Sequence, residues 1–151
     1  MPEQATERTV INAPLDRCYE VAADIERYPE WAADVKEAEV LERDSDGRPV
    51  TVAFRTAAMG RSTSYTLAYD HSEAPGRLSW TLEEGDVTRV LDGCYEFTPV
   101  ADDPTSTEVA YTLEVDLVVP LPGFVKRRAE TKILRTALPE LKARVESLTT
   151  A

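Results

Sequence analysis

Four tyrosines and a polar triplet near the C-terminus are the residues whose types and spacing could do chemistry. Tyr65, Tyr69, Tyr95 and Tyr111 fall on the apolar side of alternating runs. A phenol carried there sits where water is scarce and needs a hydrogen-bond partner, which a ligand in an apolar pocket can provide. Trp31, Phe54, Trp80 and Phe97 add rings to the same side, with Leu67, Leu82 and Leu113 between them. These positions also read as plain core, and the two readings overlap because a cavity is a core with room left in it. Near the C-terminus, projecting the leucine stripe that includes Leu134 backwards at about 100° per residue places Arg127, Glu130 and Thr131 inward, and Lys126, Arg128 and Lys132 outward. The expectation is that Arg127 or Thr131 meets a ligand's carbonyl or hydroxyl, with Phe124 and Leu134 beside them. The alternative is an ordinary surface pair between Arg127 and Glu130.

Established catalytic patterns are missing. There is no G-x-S-x-G, no Gly-rich phosphate loop and no H-E-x-x-H. The single histidine, His71, lies between Asp70 and Ser72 near a strand end and reads as a partly exposed turn residue. Cys18 and Cys94 have no C-x-x-C spacing, which argues against a disulfide framework or a structural zinc site. No catalytic residue, metal or cofactor is expected.

The elements that must position these residues follow from periodicity. Thr6 to Ala13 has strand character, and Pro14 then opens a helical segment in which Leu15, Cys18, Tyr19 and Ala22 recur at helical spacing. Pro29 suits the start of a second short helix, with Tyr28 flanking it and Trp31 inside. Six alternating runs follow: Ala38 to Arg43, Val50 to Arg55, Tyr65 to Asp70, Leu78 to Glu83, Leu91 to Phe97 and Val109 to Leu117. Asp44-Ser-Asp-Gly47, Met59-Gly60, Pro75-Gly76, Gly85-Asp86 and Asp102-Asp103-Pro104 separate them as turns. One apolar face per run predicts an antiparallel meander covered on one side. Pro120-Leu-Pro-Gly123 breaks the last run, and Phe124 to Thr150 reads as a long helix carrying Leu134, Leu138, Leu141, Val145 and Leu148. Pro139 lacks the amide that would bond to Arg135, so a kink or break near Ala137 and Leu138 is expected.

Size and charge narrow the function classes. A chain of 151 residues is long enough for one real core, and a single domain spanning 1–151 is expected. There are 28 acidic and 17 basic residues, a net charge of −11. The pI is about 4.6, so nucleic acid and anionic headgroups meet a repelling surface overall. No apolar run approaches the roughly 18 residues of a membrane span, and the N-terminus lacks the regions of a signal peptide. The expectation is a soluble, cytoplasmic protein without nucleic-acid partner or integral membrane segment, of open oligomeric state.

The order is strand, two short helices, six strands and a long helix. It predicts an α+β helix-grip fold: a curved antiparallel sheet of about seven strands around a long C-terminal helix. Helix side chains alone cannot fill such a sheet, so a cavity is expected. Several stretches carry a family resemblance: Ile11-Asn-Ala-Pro14, Asp24-Ile25 with Tyr28-Pro-Glu-Trp31, Tyr65-Thr-Leu-Ala-Tyr-Asp70, Trp80 and Pro120-Leu-Pro-Gly-Phe124. Across nearly its whole length the chain resembles the START-like (SRPBCC) superfamily, in its polyketide cyclase/dehydrase and lipid transport branch, which includes relatives of the coenzyme Q-binding chaperones. That resemblance implies binding or transport of a hydrophobic small molecule, such as a lipid, an isoprenoid quinone or a polyketide-like aromatic, in an internal cavity. The alternative it offers is a polyketide aromatase/cyclase or dehydratase, and the third is an interaction module like the antitoxin-like and ribosome-associated relatives.

Overall fold

The computed structural model describes residues 3–58, 61–118 and 120–149. Seven strands form one antiparallel sheet: β1 (Glu3–Ile11), β2 (Val35–Arg43), β3 (Pro49–Ala58), β4 (Arg61–Asp70), β5 (Arg77–Gly85), β6 (Thr88–Val100) and β7 (Asp103–Leu117). Their spatial order is β1-β7-β6-β5-β4-β3-β2, so the meander runs from β2 to β7 and β1 closes its far edge. Between β1 and β2 lie α1 (Leu15–Ala23) and a 3-10 helix (Ile25–Glu30), and α2 (Gly123–Thr149) ends the chain. This is the expected α+β helix-grip architecture.

The β2–β3 and β4–β5 turns form where turn chemistry predicts them, whereas Gly85 still belongs to β5 and Asp103 and Pro104 already belong to β7. At the β2–β3 turn Asp44 Oδ1 accepts from the amides of Asp46 and Arg48, both at 2.9 Å, and Gly47 supplies the positive φ of 81° that a side chain would resist. The Met59-Gly60 turn lies outside the described residues, as does Thr150. Register shifts in β2–β3, β4–β5 and β6–β7 bend the sheet. Beyond Trp80, β5 leaves β6 while staying paired with β4, and the Leu82 amide donates to the Asp92 side chain at 2.8 Å.

Three local expectations change. The chain leaves α1 directly, with Asp24 N–H donating to Glu20 O at 3.0 Å. The second helix therefore starts at Ile25, encloses Pro29 and stops before Trp31. α2 runs through Pro139 without a break, because Leu134, Leu138, Leu141 and Val145 on both sides of it are buried in one core. Leu148 is exposed instead of continuing that stripe.

The rotation of α2 is fixed by a buried acid. Glu130 has no exposed surface, and its Oε2 accepts from the Leu117 amide at 2.9 Å and from Lys126 Nζ at 3.0 Å. Lys126 also reaches Asp116 Oδ1 at 2.9 Å, and this contact holds the Asp116 carboxyl below the usual carboxylate range. Removing one partner of a buried, hydrogen-bonded charge strands the others. Glu130→Ala should lower stability by about 3 kcal/mol in urea unfolding, whereas Glu130→Gln, which still accepts from the Leu117 amide, should recover part of that loss.

Candidate functional site

The inner face of the sheet is aromatic because its register stacks the rings in rows. Phe54 pairs with Tyr65, Tyr69 with Trp80 and Tyr95 with Tyr111 across neighbouring strands. Centroids lie 5.3 Å apart for Phe54 and Tyr65, 5.9 Å for Tyr69 and Trp80, and 4.9 Å for Tyr95 and Tyr111. Trp80 also touches both Tyr95 and Tyr111, at 5.4 and 6.0 Å. Gly93 makes this possible. It sits opposite Trp80, and a Cβ there would lie 3.0 Å from Trp80 Cζ2 and 2.4 Å from the Thr112 carbonyl oxygen. At the other end Tyr28 and Trp31 bring their rings to 5.0 Å, and Tyr28 lies 6.3 Å from Phe54.

These rings bound a cavity of about 440 Å3, within the range of small-molecule sites. Nine of the residues expected to bind a ligand line it. Trp31 follows the 3-10 helix, Phe54, Tyr65, Leu67 and Tyr69 come from β3 and β4, and Trp80, Tyr95, Tyr111 and Leu113 come from β5, β6 and β7. Phe97 does not reach the lining. It packs against Tyr19 of α1 at 6.1 Å, in the closed end where α1 meets β6. Leu82 lies only partly buried beside the core, past the point where β5 leaves β6.

The helix faces are corrected. Arg127 and Thr131 are exposed, Phe124 is 62% exposed, and Leu134 is buried in the core rather than in the cavity wall. The lining comes from another side of α2, where Val125, Ala129, Ile133 and Ala137 recur every four residues, with Arg128, Lys132, Thr136 and Glu140 in the adjoining row. The leucine stripe was a poor guide because it follows the side that packs on β1, β7 and α1, while the cavity lies on the far side. The Val125 to Ala137 row was the available signal, hidden by its small residues. Tyr28, which the sequence places only beside the second helix, also lines the cavity, and its hydroxyl donates to the Ala22 carbonyl.

Polar groups collect at two levels. Arg128 and Lys132, both exposed, mark the mouth, where Lys132 Nζ is 3.9 Å from Asp34 and Glu140 accepts from the Ala33 amide at 3.0 Å. Deeper, Thr56 and Thr63 share a hydroxyl bond of 2.9 Å. Among the described residues, none hydrogen-bonds the hydroxyls of Tyr69, Tyr95 or Tyr111. Burial lifts the pKa of Tyr28, Tyr65, Tyr69, Tyr95 and Tyr111 above the ordinary tyrosine range. Neighbouring phenols raise Tyr28, Tyr69 and Tyr111 further. Neutral phenols of this kind donate hydrogen bonds and are poor proton acceptors.

His71 stands apart from the cavity and is 6% exposed rather than a surface turn residue. Its Nε2 donates to the Pro49 carbonyl at 2.5 Å, leaving Nδ1 to accept the Tyr19 hydroxyl at 2.7 Å. Both nitrogens are thus held in a structural bridge. Among the described residues no group of three or more His, Cys, Asp or Glu side chains converges to hold a metal.

A sequence profile of the family described as polyketide cyclase / dehydrase and lipid transport matches residues 11–142. Among solved structures the fold is similar to that of a START superfamily protein from Mycobacterium smegmatis, with TM-score 0.84 and 24% identity, covering 96% of this chain and 98% of that one. It is also similar to the Zhui aromatase/cyclase from Streptomyces sp. R1128, with TM-score 0.82 and 16% identity over 99% and 96% of the two chains. The di-domain ARO/CYC BexL from the BE-7585A biosynthetic pathway matches with TM-score 0.74 and 21% identity, over 99% of this chain and 48% of that one. At these identities the likeness speaks for the fold.

Two outcomes follow from the aromatic wall. Gly93→Ala should destabilise by about 2 kcal/mol or more and shift tryptophan emission, because Trp80 must move. Unfolded tyrosines ionise near pH 10, and the buried phenols hold their protons to higher pH. Their contribution is therefore whole below about pH 10 and is lost as pH rises above it. Urea midpoints should fall from about pH 10 upward, with tyrosinate absorbance appearing together with unfolding.

Proposed function

The chain belongs to the polyketide cyclase / dehydrase and lipid transport family, and we propose that it binds a hydrophobic small molecule in the cavity between the sheet and α2. The preferred ligand is an aromatic or quinone-like compound, or a lipid, whose carbonyl or hydroxyl oxygens accept hydrogen bonds from the phenols. The observation that carries this reading is the wall of Tyr69, Trp80, Tyr95 and Tyr111, whose tyrosine hydroxyls have no hydrogen-bond partner among the described residues. Buried phenols are normally hydrogen-bonded, and a bound oxygen acceptor would meet that need. Burying about 300 Å2 of apolar ligand surface at about 25 cal/mol per Å2 gives a gross gain of roughly 7 kcal/mol, so micromolar affinity requires that ordering costs stay small.

A second reading, aromatase/cyclase chemistry, draws on the same phenols, which could polarise ketone oxygens while the walls shape a flexible chain. Binding without turnover is preferred because, among the described residues that line the cavity, only Asp34 and Glu140 carry a carboxylate that could accept the proton cyclisation must give up. The acids at the mouth, Asp34 and Glu140, already face Lys132 and the Ala33 amide.

Both tryptophans of the chain, Trp31 and Trp80, line the cavity and report its occupancy. Titration with a naphthoquinone probe should quench their emission saturably. Tyr111→Phe should weaken binding by about three- to tenfold, the loss of one hydrogen bond, and native mass spectrometry of gently purified protein should release a stoichiometric apolar compound. No saturable quenching together with no bound mass would overturn the reading, and conversion of a poly-β-ketone substrate would favour the second one.

A further inference from the structure

The outward face of α2 carries a surface that ligand binding leaves unused. Phe124, Arg127, Arg128, Thr131 and Arg135 recur at spacings of three and four, and all are exposed. Five of the 17 basic residues fall within the ten positions 126–135, and the one acid there, Glu130, is turned into the core. Cations in the first turns of a helix face the positive end of its dipole and reduce its stability. For Lys126 the contacts with Asp116 and Glu130 offset that. Arg127, Arg128 and Arg135 have no ion pair among the described residues, and Lys132 reaches Asp34 only at 3.9 Å.

Apolar side chains stand beside these cations. Val118 is 49% exposed and Leu121 39%, leading into Phe124, and together they are three of the six large apolar side chains exposed among the described residues. Hydrophobic tips flanked by unpaired guanidinium groups complement an anionic headgroup layer, a local exception to the repulsion set by the net charge of −11. There the tips reach below the phosphates while the guanidinium groups meet them. A polyanion such as RNA would use the cations and leave the apolar tips idle.

We propose that this corner, through Val118, Leu121, Phe124, Arg127 and Arg135, docks the protein on anionic bilayers. Val125, Arg128 and Lys132 on the adjoining side line the cavity mouth, so docking sets the mouth beside the lipid surface. Docking itself is independent of the ligand reading, and only a role for it in ligand exchange rests on that reading.

The test is co-sedimentation of the full chain with vesicles of phosphatidylcholine alone and of phosphatidylcholine with phosphatidylglycerol. Binding should require phosphatidylglycerol and weaken as salt rises. The double variant Arg127→Gln/Arg135→Gln should bind about thirtyfold more weakly, as two cations near a charged bilayer imply, and Leu121→Ser/Phe124→Ser should abolish the binding that remains at high salt. Both variants should keep the wild-type circular dichroism and naphthoquinone quenching. No binding to phosphatidylglycerol vesicles would overturn the proposal, as would equal binding to both vesicle types. An unaffected Leu121→Ser/Phe124→Ser variant displaced by heparin would also overturn it, showing a polyanion site instead. Vesicle binding with neither saturable naphthoquinone quenching nor a bound apolar mass would overturn the ligand reading alone.

Discussion

A single helix laid on a curved seven-stranded sheet can press only one row of large side chains into it. In α2 that row is Leu134, Leu138, Leu141 and Val145, and it goes to the β1–β7 side and to α1. The concave surface of β3 to β7 beyond that contact is left to be bounded by its own aromatics and by the small-residue row Val125, Ala129, Ile133 and Ala137. Alanine at two of those four positions keeps the helix from filling the gap. The cavity is therefore a consequence of where the helix places its bulk, and larger residues at Ala129 and Ala137 would remove it without altering a single strand.

The walls then decide what the space can do. Trp80 occupies its place only because residue 93 has no side chain, and its ring holds Tyr69, Tyr95 and Tyr111 in one patch. Burial keeps those phenols neutral, helped by neighbouring phenols at Tyr69 and Tyr111 and by the Glu140 carboxylate at Tyr95, which suits them to hold an oxygen acceptor and unsuits them as bases. The imidazole that could have taken a proton is bound at both nitrogens outside the cavity.

Strands and their inward residues were legible because a period of two needs only alternation, and nine of the expected lining residues lie on strands or at the Trp31 flank. The helix was harder to read. Its leucines announced a core-facing side, but a helix has several sides, and nothing in the stripe says that a cavity lies against another one. Arg127 and Thr131 were placed inward by projection from Leu134, yet inward for that stripe meant β1 and α1. Small residues carry weak hydrophobic signal, so the Val125 to Ala137 row stayed hidden. His71 is hidden from the sequence for a similar reason: its partners, Tyr19 and Pro49, are 52 and 22 residues away, and neighbours such as Asp70 point to solvent.

One side chain divides the three faces of α2. Glu130 is the only acid between residues 124 and 139, and its bond to the Leu117 amide pins the helix rotation at the end of β7. With Glu130 turned in, Ala129 and Ile133 on its flank face the cavity, Leu134 one turn on enters the core, and Arg127 and Thr131 are carried to solvent. A carboxylate buried without a compensating cation would be costly, and Lys126, itself held by Asp116, supplies that cation at the corner where mouth and basic face meet. The buried ion cluster thus does more than anchor a helix end. It sets which residues of α2 see a ligand and which see the outside, and weakening it should disturb both surfaces together.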